Sequence, residues 1–163
     1  MISIEELKES GFQGFKSINA LQINAASIPV HKGIYLIVIP DNFLVTLVEQ
    51  GSGGFFKGKN PNVSLIELES NWVENANIVY IGKGGGSSSN ATLQSRLKQY
   101  MRFGEGKAVG HWGGRYIWQL KNSGELIVCW KSLTEEEPAL YESALICEFR
   151  KTYGKRPFAN LKD

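Results

Sequence analysis

The sequence predicts an α/β fold in which a small antiparallel or mixed β-sheet lies between helices. Short runs of β-branched residues predict strands, stretches of helical periodicity stand between them, and no regular strand–helix–strand repeat is present. The 163 residues fit one domain, and 42% hydrophobic with 21% charged residues is ordinary for a folded protein with a core. We therefore expect a single domain over residues 1–163.

The first fifty residues are expected to contain one helix and two strands. Ile2–Ser10 has a weak helical pattern, and Gly11–Ser27 is polar and irregular. Lys32–Ile39 is a β-branched apolar run that ends at Pro40, which predicts a buried strand. Phe43–Val48 is a candidate second strand.

The middle of the chain is expected to contain two helices and one strand. Gln50–Pro61 is a glycine-rich loop, and a helix is predicted to begin at Ser64. Ile78–Gly82 predicts another buried strand, which opens into a loop. Leu93–Arg102 predicts the second helix by the spacing of its apolar residues.

The last third is expected to contain two strands and a closing helix. Tyr116–Leu120 and Glu125–Trp130 predict strands on either side of a turn. Thr134 is expected to begin the last helix, with Glu137 completing a capping box, and the helix is predicted to run to about Tyr153.

Basic residues are concentrated in one segment. Residues 83–121 contain seven of them and a single acid, Glu105, although the net charge of the whole chain is only +2. Such a segment is a candidate surface for a polyanion, because Lys and Arg displace the counterions of phosphate groups. A solvated basic face is the alternative explanation.

No membrane segment or secretory signal is predicted. The longest apolar runs are far shorter than the ~20 residues of a membrane helix, and Glu5 and Glu6 stand where a signal would carry basic residues. Cys129 and Cys147 lack the CxxC spacing of a zinc site, so we expect core thiols in a reduced, cytoplasmic protein.

Two charged residues stand on helix faces that should be apolar. Arg96 shares its face with Leu97, and Glu142 shares its face with Ile146. A buried charge is costly unless something pairs with it. Arg96 and Glu142 either pair with each other as a structural bridge or line a cleft, where they would contact a phosphate and a metal ion.

Other chemistry-bearing residues have ordinary explanations when each is taken alone. Tyr35 and Tyr80 fit core tyrosines whose hydroxyls are hydrogen-bonded. Gly82–Asn90 is glycine-rich but follows neither the P-loop order nor the dinucleotide fingerprint, which disfavours a nucleotide site. His111 fits a surface or structural histidine.

Five motifs taken together resemble the GIY-YIG nuclease family. In chain order they are Gly33-Ile34-Tyr35, Tyr80-Ile81-Gly82 followed by Lys83, Leu93-x-x-Arg96-Leu97, Glu142-x-x-Leu145-Ile146 and Pro157-x-x-Asn160. The resemblance covers residues 33–160 and implies a GIY-YIG-like domain. By that comparison, residues 1–30 are an N-terminal extension. Residues 40–76 are an insertion between the two signature strands, where relatives have a short hairpin.

The resemblance implies hydrolysis of DNA phosphodiester bonds with one Mg²⁺ or Mn²⁺ ion. Glu142 would be the only metal ligand from the protein, which agrees with the tendency of magnesium to keep several waters. Arg96 would hold the scissile phosphate in its planar fork. Tyr35 would act as general base on the attacking water, with Lys83 as the nearby cation that favours the phenolate.

The remaining site positions follow the same comparison. Tyr80 would orient the water or the phosphate, and Asn160 would brace the site by hydrogen bonds. Many relatives have a histidine four residues after the helix arginine, where this chain has Tyr100. Tyr100 and His111 are therefore both candidates for an additional catalytic role.

Basic and aromatic residues outside these motifs are candidate DNA contacts, because aromatic rings stack on bases and lysines follow phosphates. They are Lys98, Arg102, Lys107, Arg115, Phe55, Phe56, Lys57 and Lys59. The alternative for the last four is a lid over the core.

The sequence thus predicts a metal-dependent endonuclease that cuts DNA, with RNA as a second possible substrate and no membrane association. One alternative is a catalytically inactive nucleic-acid-binding module on the same fold, since a fold does not guarantee an activity. The other is a subunit that acts only with a protein partner docked on the insertion.

Overall fold

A computed structural model describes residues 1–162 of the protein. The helices are α1 (Ile4–Glu9), α2 (Ile18–Ile23), α3 (Leu65–Asn71), α4 (Leu93–Gly104) and α5 (Pro138–Tyr153), and the strands are β1 (Gln13–Ser17), β2 (Gly33–Val38), β3 (Ile78–Gly84) and β4 (Ile127–Ser132). Short 3₁₀ turns occupy Phe56–Gly58, Arg115–Gln119 and Ser123–Glu125.

The strands form one antiparallel sheet in the order β1–β4–β2–β3. Strand β2 is internal and every one of its residues is buried, which explains its continuous apolar sequence. Tyr35 in β2 lies opposite Gly82 in β3 and opposite Trp130 in β4. The two signature tripeptides are therefore neighbours across one pair of strands.

Helices cover both faces of the sheet. Tyr35 and Ile37 pack on one face with apolar residues of α2 and α4. Ile34 and Leu36 alternate with them and pack on the other face with residues of α1 and α5, including Ile146. The expected α/β architecture, with an antiparallel sheet between helices, is confirmed.

Most of the predicted helices are present. The weak pattern at the N-terminus forms α1, and Ser64 caps α3 by accepting a hydrogen bond from the backbone N–H of Glu67. Helix α4 begins where expected and extends two residues beyond Arg102. Across residues 1–162, none of the helices combines the length and apolar character needed to cross a membrane.

The segment Gly11–Ser27 is not irregular, as the sequence had indicated. It contributes β1, which pairs with β4 at one edge of the sheet, followed by α2. A bulge with positive φ at Gly14 and Phe15 interrupts β1 and removes the period-two pattern by which a strand is recognised. The predicted N-terminal extension is therefore partly built into the sheet.

Two predicted strands are absent from the described residues. Phe43–Val48 forms no strand and makes only an isolated bridge from Leu47 to Leu120, while Leu44 is 81% exposed. Tyr116–Leu120 lies mostly in the 3₁₀ turn Arg115–Gln119, which follows the left-handed residue Gly114. A fully buried apolar run has no periodicity that separates a strand from a tight helical turn.

The capping box predicted at Thr134 is wrong. Helix α5 begins at Pro138, and Glu137 is its N-cap with no side-chain hydrogen bond to the helix. A residue before proline avoids helical backbone angles, so Glu137 stays extended and Thr134 cannot lie in the first turn.

The expectation for the two thiols is correct at Cys129, which is buried in β4, and wrong at Cys147. Cys147 is exposed because it follows the buried Ile146 by one residue, and a single step turns the side chain ~100° around the helix axis.

The glycines of the two tripeptides are required by close packing. A Cβ atom on Gly82 would lie 2.4 Å from Cζ of Tyr35, so the bare backbone leaves room for the tyrosine ring. A Cβ atom on Gly33 would lie 2.2 Å from the carbonyl oxygen of Lys131 in β4. Both positions therefore exclude any residue with a side chain unless the sheet moves.

We predict that Gly82→Ala lowers the free energy of unfolding by about 1–3 kcal/mol, because the added methyl group overlaps the Tyr35 ring. Urea unfolding measures this loss. Gly110→Ala is the matched control, since its Cβ atom would lie 3.4 Å from Phe56, an ordinary contact. Equal stability of the two variants would contradict the packing explanation.

Candidate active site

A cleft of about 700 Å³ opens beside β3, at the edge of the sheet. Side chains from β2, β3, α4, α5 and the segment after α5 converge on it. All six main site residues predicted from the sequence line this cleft: Tyr35, Tyr80, Lys83, Arg96, Glu142 and Asn160.

The cleft receives residues from both faces of the sheet because β3 is an edge strand. Tyr35 and Tyr80 lie on the α4 face, with their ring centroids 5.9 Å apart in an edge-to-face arrangement. Arg96 reaches the cleft from α4 on that side. Lys83 lies two residues beyond Ile81, whose side chain packs on the α5 face, and α5 supplies Glu142.

Arg96 and Glu142 do not form a structural bridge. Among residues 1–162 no ion pair joins them, and the Arg96 guanidinium donates a hydrogen bond to the side-chain carbonyl of Gln99. Glu142 is half-buried, and burial raises its pKa while Lys83 and then Lys162 lower it. Of the two explanations that the sequence left open, the geometry favours the cleft.

Tyr35 is fully buried apart from its contact with the cleft, and its hydroxyl lies 3.3 Å from Nε2 of His111. Nδ1 of His111 lies 3.0 Å from the carbonyl oxygen of Gly113, which can only accept. Nδ1 therefore carries the proton in the neutral ring, and Nε2 accepts the hydrogen bond that the Tyr35 hydroxyl donates.

Burial sets the protonation states of this pair. It lowers the pKa of His111 to about 3, with a further lowering from Arg96, so the imidazole is neutral near pH 7. Burial and the neighbouring Tyr80 raise the pKa of Tyr35 well above its ordinary value. Tyr35 is therefore a protonated phenol that donates to a neutral imidazole.

The cation expected beside Tyr35 was Lys83, but the cation that lowers the Tyr35 pKa is Arg96. Its influence is smaller than that of burial. Lys83 acts on Glu142 instead, because it lies on the α5 side of the edge strand.

Tyr100 lies behind the cleft and does not line it. Its ring stacks on His111 with centroids 4.3 Å apart and planes 15° from parallel. Its hydroxyl donates a hydrogen bond of 2.5 Å to the carbonyl oxygen of Gly114. Tyr100 therefore supports His111 from behind the cleft.

Asn160 forms hydrogen bonds with the backbone along the free edge of β3. Its side-chain oxygen accepts from the backbone N–H of Ile81 at 3.0 Å, and its side-chain amide donates to the Ile81 carbonyl at 2.9 Å. The backbone N–H of Ala159 donates to the Val79 carbonyl at 2.8 Å. The segment after α5 thus satisfies polar groups that an edge strand would leave unpaired.

Basic residues predicted to contact DNA lie outside the cleft. Lys98 and Arg102 are exposed on α4, and Lys107 is exposed in the following loop. Arg115 is half-buried, with its guanidinium carbon 4.5 Å from the ring centroid of Trp112.

The candidate contacts in the insertion lie beside this loop. Phe55 is 51% exposed and Lys57 and Lys59 are exposed, whereas Phe56 is half-buried. The insertion packs against the loop through Gly54, where a Cβ atom would lie 1.9 Å from the Lys107 carbonyl oxygen.

Sequence reasoning missed three residues near the site. Trp112 lines the cleft, and its only signal was its place beside His111 in a glycine-rich segment. Lys162 lines the cleft near Glu142, and no motif marks it. The Glu137 carboxylate accepts from the backbone N–H of Ser87 at 3.2–3.3 Å, a contact with the loop after β3 that no local pattern announces.

No family model, no curated protein and no solved structure matches this chain.

We predict that His111 keeps a neutral ring protonated on Nδ1 throughout the mildly acidic range, because its pKa is lowered to about 3. Nitrogen-15 and proton NMR of the two histidines measures both the tautomer and the titration. The exposed His31 supplies the second signal for comparison. A His111 signal that titrates near pH 6.5 would contradict the burial and hydrogen bonds described here.

Proposed function

We propose that this protein is a metal-dependent endonuclease of the GIY-YIG type that hydrolyses DNA phosphodiester bonds. The observation that carries the proposal is the convergence of six side chains from distant parts of the chain on one cleft: Tyr35, Tyr80, Lys83, Arg96, Glu142 and Asn160. Buried tyrosines, two cations and an unpaired carboxylate rarely share a cavity for structural reasons alone, since each is costly to bury.

The charges of the cleft suit a phosphodiester. Arg96 approaches from α4, while Lys83 and Lys162 approach from the side of Glu142. A guanidinium offers two parallel donors that match two phosphate oxygens. Arg96 holds the scissile phosphate in this proposal, and the two lysines offset the remaining negative charge.

Glu142 is the residue that would hold the metal ion. Within the described residues, no group of three or more His, Cys, Asp or Glu side chains could hold a metal. The carboxylate of Glu142 has no hydrogen bond or ion pair there, so it is available as a ligand on the cleft wall. One carboxylate with water and phosphate oxygens fits Mg²⁺ or Mn²⁺.

A bound Mg²⁺ or Mn²⁺ ion would stabilise the negative charge that develops on the phosphate and on the leaving oxygen. The side chains of the protein position the phosphate and the attacking water. Asn160 fixes β3 through the backbone of Ile81 and thereby fixes Tyr80 beside the phosphate. Tyr80 itself orients the phosphate or the attacking water through its hydroxyl.

Tyr35 accepts the proton of the attacking water while it gives its own hydroxyl proton to His111. Its pKa is raised, so a preformed phenolate is disfavoured near pH 7. Its hydroxyl already donates to Nε2 of His111, whose ring is neutral. As the water attacks phosphorus, its proton moves to the Tyr35 oxygen and the Tyr35 proton moves to His111 Nε2, leaving an imidazolium. Burial and Arg96 disfavour this cation, so the step requires the negative charge of the bound phosphate to stabilise it.

We predict that Glu142→Gln abolishes metal-dependent cleavage and leaves the fold intact, because the amide keeps the shape but not the charge. Cleavage of labelled duplex, nicked, branched and single-stranded DNA is measured with Mg²⁺ or Mn²⁺, with and without EDTA. Glu148→Gln is the matched control, an exposed glutamate on the same helix whose ion pair with Lys151 lies away from the cleft.

Full cleavage by Glu142→Gln would overturn the proposed metal ligand. DNA binding without cleavage by the wild-type protein would favour the inactive binding module. Cleavage that appears only with a second protein would favour the partner-dependent subunit, and cleavage of RNA alone would change the substrate.

We predict that Tyr35→Phe slows cleavage by about 100-fold or more, because the ring remains over Gly82 and only the hydroxyl is lost. Single-turnover rates from neutral to mildly alkaline pH measure the effect. Tyr153→Phe, a half-buried tyrosine at the end of α5 outside the cleft, is the control. Equal rates for Tyr35→Phe and the wild type would remove Tyr35 and its proton path from the mechanism.

A further inference from the structure

Trp112 connects the cleft to a surface that the cleavage chemistry does not use. Its ring lines the cleft, and Arg115 lies over it with the guanidinium carbon 4.5 Å from the ring centroid. The same guanidinium lies 5.4 Å from the ring centroid of Tyr116, and its Nε atom is buried with no hydrogen-bond partner in the described residues. The Arg115 plane is thus held by rings at the edge of the site.

The aromatic surface continues from Trp112 into the insertion. A Cβ atom on Gly110 would lie 3.4 Å from Cζ of Phe56, so the Phe56 ring rests against the backbone two residues before Trp112. Phe55, the residue before Phe56, is 51% exposed, although large apolar side chains are usually buried. Lys57 lies over the Phe56 ring, with its Nζ atom 5.3 Å from the ring centroid.

The two segments that form this surface carry basic residues and no acidic ones. Residues 50–61 and 106–121 together contain no Asp or Glu. Their basic residues are Lys57, Lys59, Lys107, Arg115 and Lys121. Partly exposed aromatic rings beside cations, and without acids, are a combination that binds unpaired nucleic acid strands, because bases stack on the rings while cations follow the phosphates.

We propose that Trp112, Phe56 and Phe55 form a stacking track for an unpaired DNA strand that continues from the scissile phosphate. The inference rests on the proposed nuclease function and names its substrate class: DNA with a single-stranded segment on the insertion side of the cut. A duplex presents base faces only at its ends, so it cannot use the track along its length.

The track also gives residues 40–76 a role. The insertion holds Phe55 and Phe56 beside the loop that carries Trp112, because Gly54 packs on the backbone of Lys107 and the Phe56 ring lies against Gly110. The loop that carries His111 and Trp112 therefore contacts the unpaired DNA strand through Trp112 and the Tyr35 hydroxyl through His111.

The experiment measures the binding of fluorescent oligo(dT) and of a blunt hairpin duplex by anisotropy, in EDTA so that no cleavage occurs. We expect the wild-type protein to bind oligo(dT) more tightly than the hairpin. Phe55→Leu, which keeps an apolar side chain but removes the ring, is expected to weaken oligo(dT) binding by about fivefold or more. Trp112→Leu is expected to do the same.

Ile23→Ala is the control, since Ile23 is 88% exposed and lies on α2, outside the track. Phe55 lies in an exposed loop, so Phe55→Leu tests the track without disturbing the core. If both track variants bind oligo(dT) as tightly as Ile23→Ala does, or lose hairpin binding to the same extent, the track is overturned while nucleic-acid binding stands. If the wild-type protein binds neither DNA, the proposed nuclease function fails with it.

Discussion

The site depends on burying the Tyr35 hydroxyl without leaving it unpaired. The Tyr35 ring lies over the backbone of Gly82, and its hydroxyl donates to His111, which in turn donates to the Gly113 carbonyl. A buried hydroxyl without a partner costs free energy, so this chain of bonds fixes the loop after α4 relative to the central strand. Tyr100 completes the arrangement by stacking on His111.

The edge of the sheet explains why a cleft exists at all. A strand with neighbours on both sides would close the space in which residues from the two faces meet. Strand β3 has a sheet neighbour on one side only, and on the other side Asn160 satisfies both backbone groups of Ile81 with its side-chain amide. A side chain occupies less space than a strand, so the edge is satisfied while Lys83 and Glu142 remain accessible from the cleft.

The sequence predicted what local periodicity and motif order encode. Strands β2 and β3 are continuous apolar runs, and the six main site residues belong to ordered motifs, so both were expected before any geometry was known. Strand β1 was missed because Gly14 and Phe15 form a bulge. The contact between His111 and Tyr35 spans 76 residues of chain, and no periodic pattern reports a contact of that kind. The place of Trp112 in the cleft likewise depends on how distant segments pack.

The bonds from Asn160 to Ile81 join residues 79 positions apart, and this separation has a consequence during synthesis on the ribosome. Strands β2 and β3 and helix α4 leave the exit tunnel well before residue 160 does, and Glu142 follows them. The nascent chain therefore carries an incomplete cleft until the segment after α5 has emerged. The sheet can therefore form on the nascent chain before the site is complete.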